Sequence, residues 1–166
     1  MKLNLFLVCD RRRYVGIRPD ATPHAAEFND VLKRLRRMEE LTEVVISLRH
    51  KDISEIRSFA KPPAAILIIL RNVYVMLGEN PKKLSKWINI AKLLGQKGKK
   101  KIQARIEAFR PHTVTPDLAR SVEAKIEKFG ASVSEIEKIN ISVSRLYAWL
   151  QGTVDIIRSV DIIRNI

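Results

Sequence analysis

Two adjacent prolines, Pro62 and Pro63, constrain this chain more than any other feature. A residue that precedes proline is pushed out of helical dihedrals, so a helix entering from the 51–59 region has to stop at Lys61. Pro63 can then occupy the first turn of a following helix, where a missing N–H costs nothing. That helix, predicted over 64–77, is the most apolar stretch of the chain and stops at Gly78. Its run Ala64-Ala65-Ile66-Leu67-Ile68-Ile69-Leu70 meets Arg71 and Asn72 well before the roughly 20 residues needed to span a bilayer, so it reads as buried.

The same punctuation recurs downstream. Helices are predicted over 84–94, ending at Gly95, and over 99–109, stopping before Pro111. Thr115-Pro116-Asp117 combines a capping hydroxyl, a proline at the first position and an acid facing the helix N-terminus, which starts a helix running to Phe129 before Gly130. Ser132-Val133-Ser134-Glu135 has capping-box spacing. A last helix, 141–163, keeps Val143, Leu146, Leu150, Val154, Ile157 and Val160 close to one face. Upstream, Phe28, Leu32 or Val31, Leu35, Met38, Leu41 or Thr42, Val45 and Leu48 recur at spacings of three and four. That spacing fits a heptad seam and equally an ordinary amphipathic helix on a globular core. The fold class is therefore all-α. Residues 1–23, with Arg11-Arg12-Arg13, Pro19 and Pro23, read as an N-terminal arm.

With 46% apolar and 30% charged residues in 166, the composition supports one packed domain with an arm. The 31 Lys and Arg exceed the 18 Asp and Glu by 13, which favours an acidic partner: nucleic acid, anionic membrane or an acidic protein surface. Cys9, the single cysteine, cannot form an intramolecular disulfide, consistent with a reducing compartment. The opening apolar stretch is too short for a signal-peptide core and runs into three arginines, so secretion is not expected.

Catalytic patterns are missing from the sequence. It contains neither a Gly-x-x-x-x-Gly-Lys-Ser/Thr loop nor a Gly-x-Gly-x-x-Gly turn, so nucleotide hydrolysis is not expected. His24, His50 and His112 are far apart and lack ligand-spaced companions, so no metal or other cofactor is expected. Glu135 and Glu137 read as a solvated face. The densest positive run is Lys97, Lys99, Lys100, Lys101, Arg105 and Arg110, opposed by Glu107. Such a run is ordinarily a solubilising loop, and its rival role is contact with phosphates in a small basic nucleic-acid-binding protein. The aromatics do not interleave with these lysines, which disfavours base stacking. Trp87 and Trp149 read as core anchors.

Taken in order, four pieces resemble the stalk tip of the dynein heavy chain: Lys51-Asp52-Ile53-Ser54-Glu55-Ile56-Arg57-Ser58-Phe59-Ala60-Lys61-Pro62-Pro63, Val75-Met76-Leu77-Gly78, Trp87 with Ala91-Lys92-Leu93-Leu94, and Lys138-Ile139-Asn140 followed by Trp149. The acid-Ile-x-Glu-Ile-Arg-Ser segment entering the double proline is the most specific. The resemblance covers about residues 46–160. It implies a knob of short helices, 50–150, at the end of an antiparallel coiled coil, with 24–49 as the outgoing stalk helix and 151–166 as the start of the returning one. It also implies a non-catalytic module that binds the microtubule at the groove between tubulin subunits, with no membrane contact.

The surface implied to face the track carries Lys51 and Arg57 from the first helix, Lys86 and Lys92 from the tryptophan helix, and Lys138 from the third. Pro62 and Pro63 are implied to be the hinge through which the coiled coil relays motor state. The rest of a dynein motor, or another chain, would complete the stalk and supply the ATPase ring. The implied location is the cytoskeleton of the cytoplasm, or of a cilium or axoneme. Three departures stand out: Asn140 where serine is usual, Arg110 where aspartate is usual, and lysines at 97–101 where the stretch is more neutral. Arg110 is expected to add to the positive surface.

Overall fold

The heptad ambiguity upstream resolves into one helix, α1 (Ala25–Ile46), in the computed structural model, which describes residues 25–164. The predicted arm, 1–23, lies outside the described residues, as do Cys9 and His24. Along α1 the seam is Val31, Leu35, Met38, Thr42 and Val45, with Leu32 and Leu41 half-buried on its flank. This alternation of four and three is a coiled-coil repeat. Thr42 is tolerated in it because its Oγ1 donates to the Met38 carbonyl at 2.8 Å, so its own buried hydroxyl is paired.

The partner of that seam is α8 (Ile141–Arg164). Arg34 pairs with Asp155, while a Cβ placed on Gly152 would lie 2.7 Å from Leu41 Cδ1. Residue numbers therefore fall along α8 as they rise along α1, and the two helices run antiparallel. Glycine at 152 leaves room for the Leu41 side chain against the α8 backbone. The expectation that α8 buries one face is corrected. Ser142, Ser144, Tyr147, Trp149, Thr153, Ile156 and Ser159 are buried as well, since α1, α3, α6 and α7 all pack on this helix. Two of its serines are satisfied within the helix: Ser144 Oγ donates to the Ile141 carbonyl and Ser159 Oγ to the Asp155 carbonyl.

Between this pair lie α2 (His50–Arg57), α3 (Ala64–Met76), α4 (Trp87–Leu94), α5 (Ile102–Ala108), α6 (Pro116–Phe129) and α7 (Val133–Glu137). No strand occurs among the described residues, and the protein is an all-α bundle. α3 is its apolar floor, with Ile66, Ile69, Leu70, Val73, Tyr74, Val75 and Met76 buried. It ends on Gly78 at φ +100°, a conformation that side-chain-bearing residues rarely adopt.

Several boundaries differ from the sequence reading. α2 stops at Arg57, because Ser58 Oγ takes the Glu55 carbonyl and the chain turns before the prolines. Pro63 sits just outside α3 in the N-cap position (φ −52°, ψ 145°), where its carbonyl accepts from Ile66 and Leu67. The predicted 84–94 helix becomes a 3-10 turn (Pro81–Leu84) and then α4, since Asn80 Oδ1 caps the turn by accepting from Lys82 N at 3.0 Å. In the predicted 99–109 helix, 98–100 form a separate 3-10 turn and Lys101 is extended. α6 and α7 follow the sequence signals: Thr115 Oγ1 accepts from Leu118 N, Gly130 closes α6 at φ +68°, and Ser132 with Glu135 forms the capping box. α6 is tied along α8 by Arg158 to Glu123 at 3.1 Å and Arg120 to Asp161 at 4.0 Å.

Candidate functional site

α2 begins at Arg49, whose extended backbone precedes the first turn, and Asp52 three residues on closes that end. Asp52 Oδ2 accepts from the Arg49 backbone N–H at 2.8 Å and Oδ1 from the guanidinium at 3.0 Å. These hydrogen bonds from the Arg49 side chain and backbone, with a smaller field from Lys51, hold the Asp52 carboxyl below the usual range. Asp52 is thereby committed to Arg49, and Lys51 stands exposed beside it.

At its other end α2 is fastened to α4. Arg57 Nε donates to the Ala91 carbonyl at 3.2 Å, and its guanidinium covers Gly95 so closely that a Cβ there would lie 2.7 Å from it. Trp87 adds a second strap, its Nε1 donating to the Phe59 carbonyl at 2.8 Å. Arg57 is exposed, yet part of its hydrogen-bonding capacity serves this joint. Trp87 is half-buried and packs against the core cluster, with its N–H spent on the segment before the double proline. Trp149 does anchor the core, fully buried and edge-on to Phe109 at 5.3 Å. Lys86 occupies the N-cap position of α4 and Lys92 its last turn, and both are exposed.

Lys138 caps the C-terminus of α7 and is exposed. Just beyond it, Asn140 is buried, and its Oδ1 accepts from Val143 N at 2.9 Å, capping α8. Asparagine and serine are comparable N-caps, so Asn140 serves this corner as a serine would. α2 packs against both α4 and α8. With Leu41 facing Gly152 and both helices rising about 1.5 Å per residue, the last turn of α1 lies beside roughly residues 147–150, two to three turns into α8. Lys51, Lys86, Lys92 and Lys138 make no salt bridge among the described residues.

The basic run at 97–110 divides. Lys97, Lys99, Lys100 and Lys101 are exposed. Arg105 instead belongs to the fold: it pairs with Glu79 at 2.9 Å, donates to the Leu77 carbonyl at 3.1 Å and lies over the Tyr74 ring at 5.7 Å. Arg110 likewise turns inward to the Glu107 and Phe109 carbonyls, at 3.1 and 2.9 Å. It thus spends part of its donor capacity within the chain rather than standing wholly open on the surface. Sequence reasoning also missed three exposed isoleucines, Ile88, Ile139 and Ile141. A period of three to four that placed Ile90, Leu93 and Leu94 inside would have left Ile88 outside.

No family model matches the chain. It is 25% identical, over 166 aligned residues, to cytoplasmic dynein 2 heavy chain 1 of Chlamydomonas reinhardtii, covering 92% of this chain and 4% of that one. It is 23% identical over 130 residues to dynein axonemal heavy chain 2 of Homo sapiens and, equally, of Mus musculus, covering 74% of this chain and 3% of each relative. The chain is related to dynein heavy chains. It spans only 3 to 4% of their length, so the relation concerns one small region of very large proteins. Among the described residues no helix is long and apolar enough to cross a membrane.

Proposed function

We propose that this chain is a non-catalytic microtubule-binding module of the dynein stalk-tip kind, gripping tubulin through Lys51, Lys86, Lys92 and Lys138, with Arg57 serving both grip and joint. The observation that carries the reading is the exposure of these four lysines, free of salt bridges among the described residues, on α2, α4 and the α7–α8 corner of a dynein-related chain. Exposed pairs between lysine and carboxylate are worth about 0.2–1 kcal/mol each, so several together give a reversible hold that weakens with salt. The antiparallel α1–α8 pair is the outgoing and returning stalk, the rest of a motor or a second chain completes it, and Pro62–Pro63 is the joint that passes its state to the lysines. The setting is the cytoskeleton, cytoplasmic or axonemal.

The test is co-sedimentation of the chain with taxol-stabilised microtubules across a salt series, with duplex DNA as competitor. Pelleting that falls with salt and survives the competitor supports the reading; protein left in the supernatant at low salt refutes it. The exposed lysines at 97–101 favour a second reading, a small basic nucleic-acid-binding protein. Retention by DNA without pelleting would establish that one instead.

A further inference from the structure

Five large apolar side chains are exposed among the described residues: Val44, Ile88, Ile139, Ile141 and Ile162. Isolated cases need no explanation, but three of these stand beside the lysines proposed to dock. Ile88 is 59% exposed and lies one turn before Lys92 on α4, so the two share a helix face, with Lys86 just upstream. Ile139, 45% exposed, follows Lys138 directly, and Ile141, 51% exposed, comes two residues later. Their exposure has a local cause. Asn140 turns inward to cap α8 and is buried, which leaves its two neighbours facing out.

Resting on the microtubule-binding reading above, we infer that Ile88, beside Lys86 and Lys92, and Ile139 and Ile141, just after Lys138, are apolar anchors of the docking surface, and that the partner offers apolar spots rimmed by carboxylates. The two kinds of contact divide the work. Lysines draw an acidic surface in and are screened by salt, whereas burial of isoleucine is insensitive to modest salt and sets how long the complex lasts. The partner is a folded protein rather than a lipid surface, because the exposed isoleucines are split between α4 and the α7–α8 corner and do not form the continuous apolar stripe that an interfacial helix needs.

The experiment compares the full chain with Ile88→Ser, with the double variant Ile139→Ser/Ile141→Ser, and with Ile162→Ser as control. Residue 162 lies about 31 Å along α8 from Ile141. Affinity for taxol-stabilised microtubules is measured at several salt concentrations, helicity by circular dichroism, and binding to anionic phosphatidylserine vesicles in parallel. Each isoleucine removed should weaken microtubule binding roughly three- to tenfold, the loss that corresponds to about half of a full side-chain burial. The loss should be the same at every salt, with an unchanged salt slope, unchanged helicity and no effect of Ile162→Ser. Wild type that pellets while the isoleucine variants pellet equally well would overturn the inference and leave the microtubule reading standing. Wild type that never pellets would sink that reading and the inference with it. Isoleucine-dependent binding to the vesicles would overturn the choice of a protein partner.

Discussion

Replacing Trp149 with phenylalanine should cost far less than its burial suggests. Trp149 is fully buried in α8, edge-on to Phe109 at an interplanar angle of 76°, and its indole N–H finds no acceptor among the described residues. Truncation to alanine opens a large cavity and removes the aromatic pair, for about 3–5 kcal/mol. In a chain of this size that lowers Tm by roughly 6–20 °C. Phenylalanine keeps a ring against Phe109 and gives up roughly 1–2 kcal/mol of apolar area and packing. It also removes a buried N–H whose unpaired state costs about 1–3 kcal/mol. The two effects nearly cancel, so Trp149→Phe should lie within about 1 kcal/mol of the parent. Urea unfolding followed by far-ultraviolet circular dichroism measures both variants on one scale. If Trp149→Phe is as damaging as Trp149→Ala, the indole N–H is making a stabilising bond and the reasoning about this core is wrong.

Gly130→Ala should destabilise by about 1–2 kcal/mol in the same assay, because the residue closes α6 at φ +68°; an unchanged midpoint would contradict that geometry. Glu135 accepts from the Ser132 backbone N–H at 2.7 Å and from its hydroxyl at 3.0 Å, which holds its carboxyl below the ordinary value near 4.5. With the folded pKa below the unfolded one, the contribution is complete above the ordinary value and fades as pH falls through the lowered one. Glu135→Gln should therefore lose stability at pH 7 and show a shallower acid limb; an acid limb as steep as the parent's would show that this cap is not what titrates.

Local signals were the legible ones. Thr115-Pro116-Asp117 and Gly130 bound α6 because capping needs only neighbours in sequence, and the same holds for Ser132 with Glu135. The four-three alternation of α1 was readable as a seam, though the choice of Val31 over Leu32 and Thr42 over Leu41 depended on where α8 lies. Distant contacts hid the rest. Arg105 reads as part of a lysine-rich surface until Glu79, the Leu77 carbonyl and Tyr74 come together around it. α8 reads as one-faced because serines and Thr153 are polar in sequence, yet packing on several sides buries them. Trp87 packs at the edge of the core, and the bond from its N–H to the distant Phe59 carbonyl could not be read from the sequence. The candidate lysines were named from a resemblance, and periodicity alone would not have separated them from Lys125 and Lys128, which are equally exposed.

Lysine acetylation with and without saturating microtubules, read by mass spectrometry, tests the central claim most directly. Lys51, Lys86, Lys92 and Lys138 should become protected on binding, while Lys125 and Lys128 on α6 keep their reactivity. Protection confined to 97–101 or to α6, with Lys51, Lys86 and Lys138 reacting as freely as in the unbound protein, would contradict the proposed docking surface.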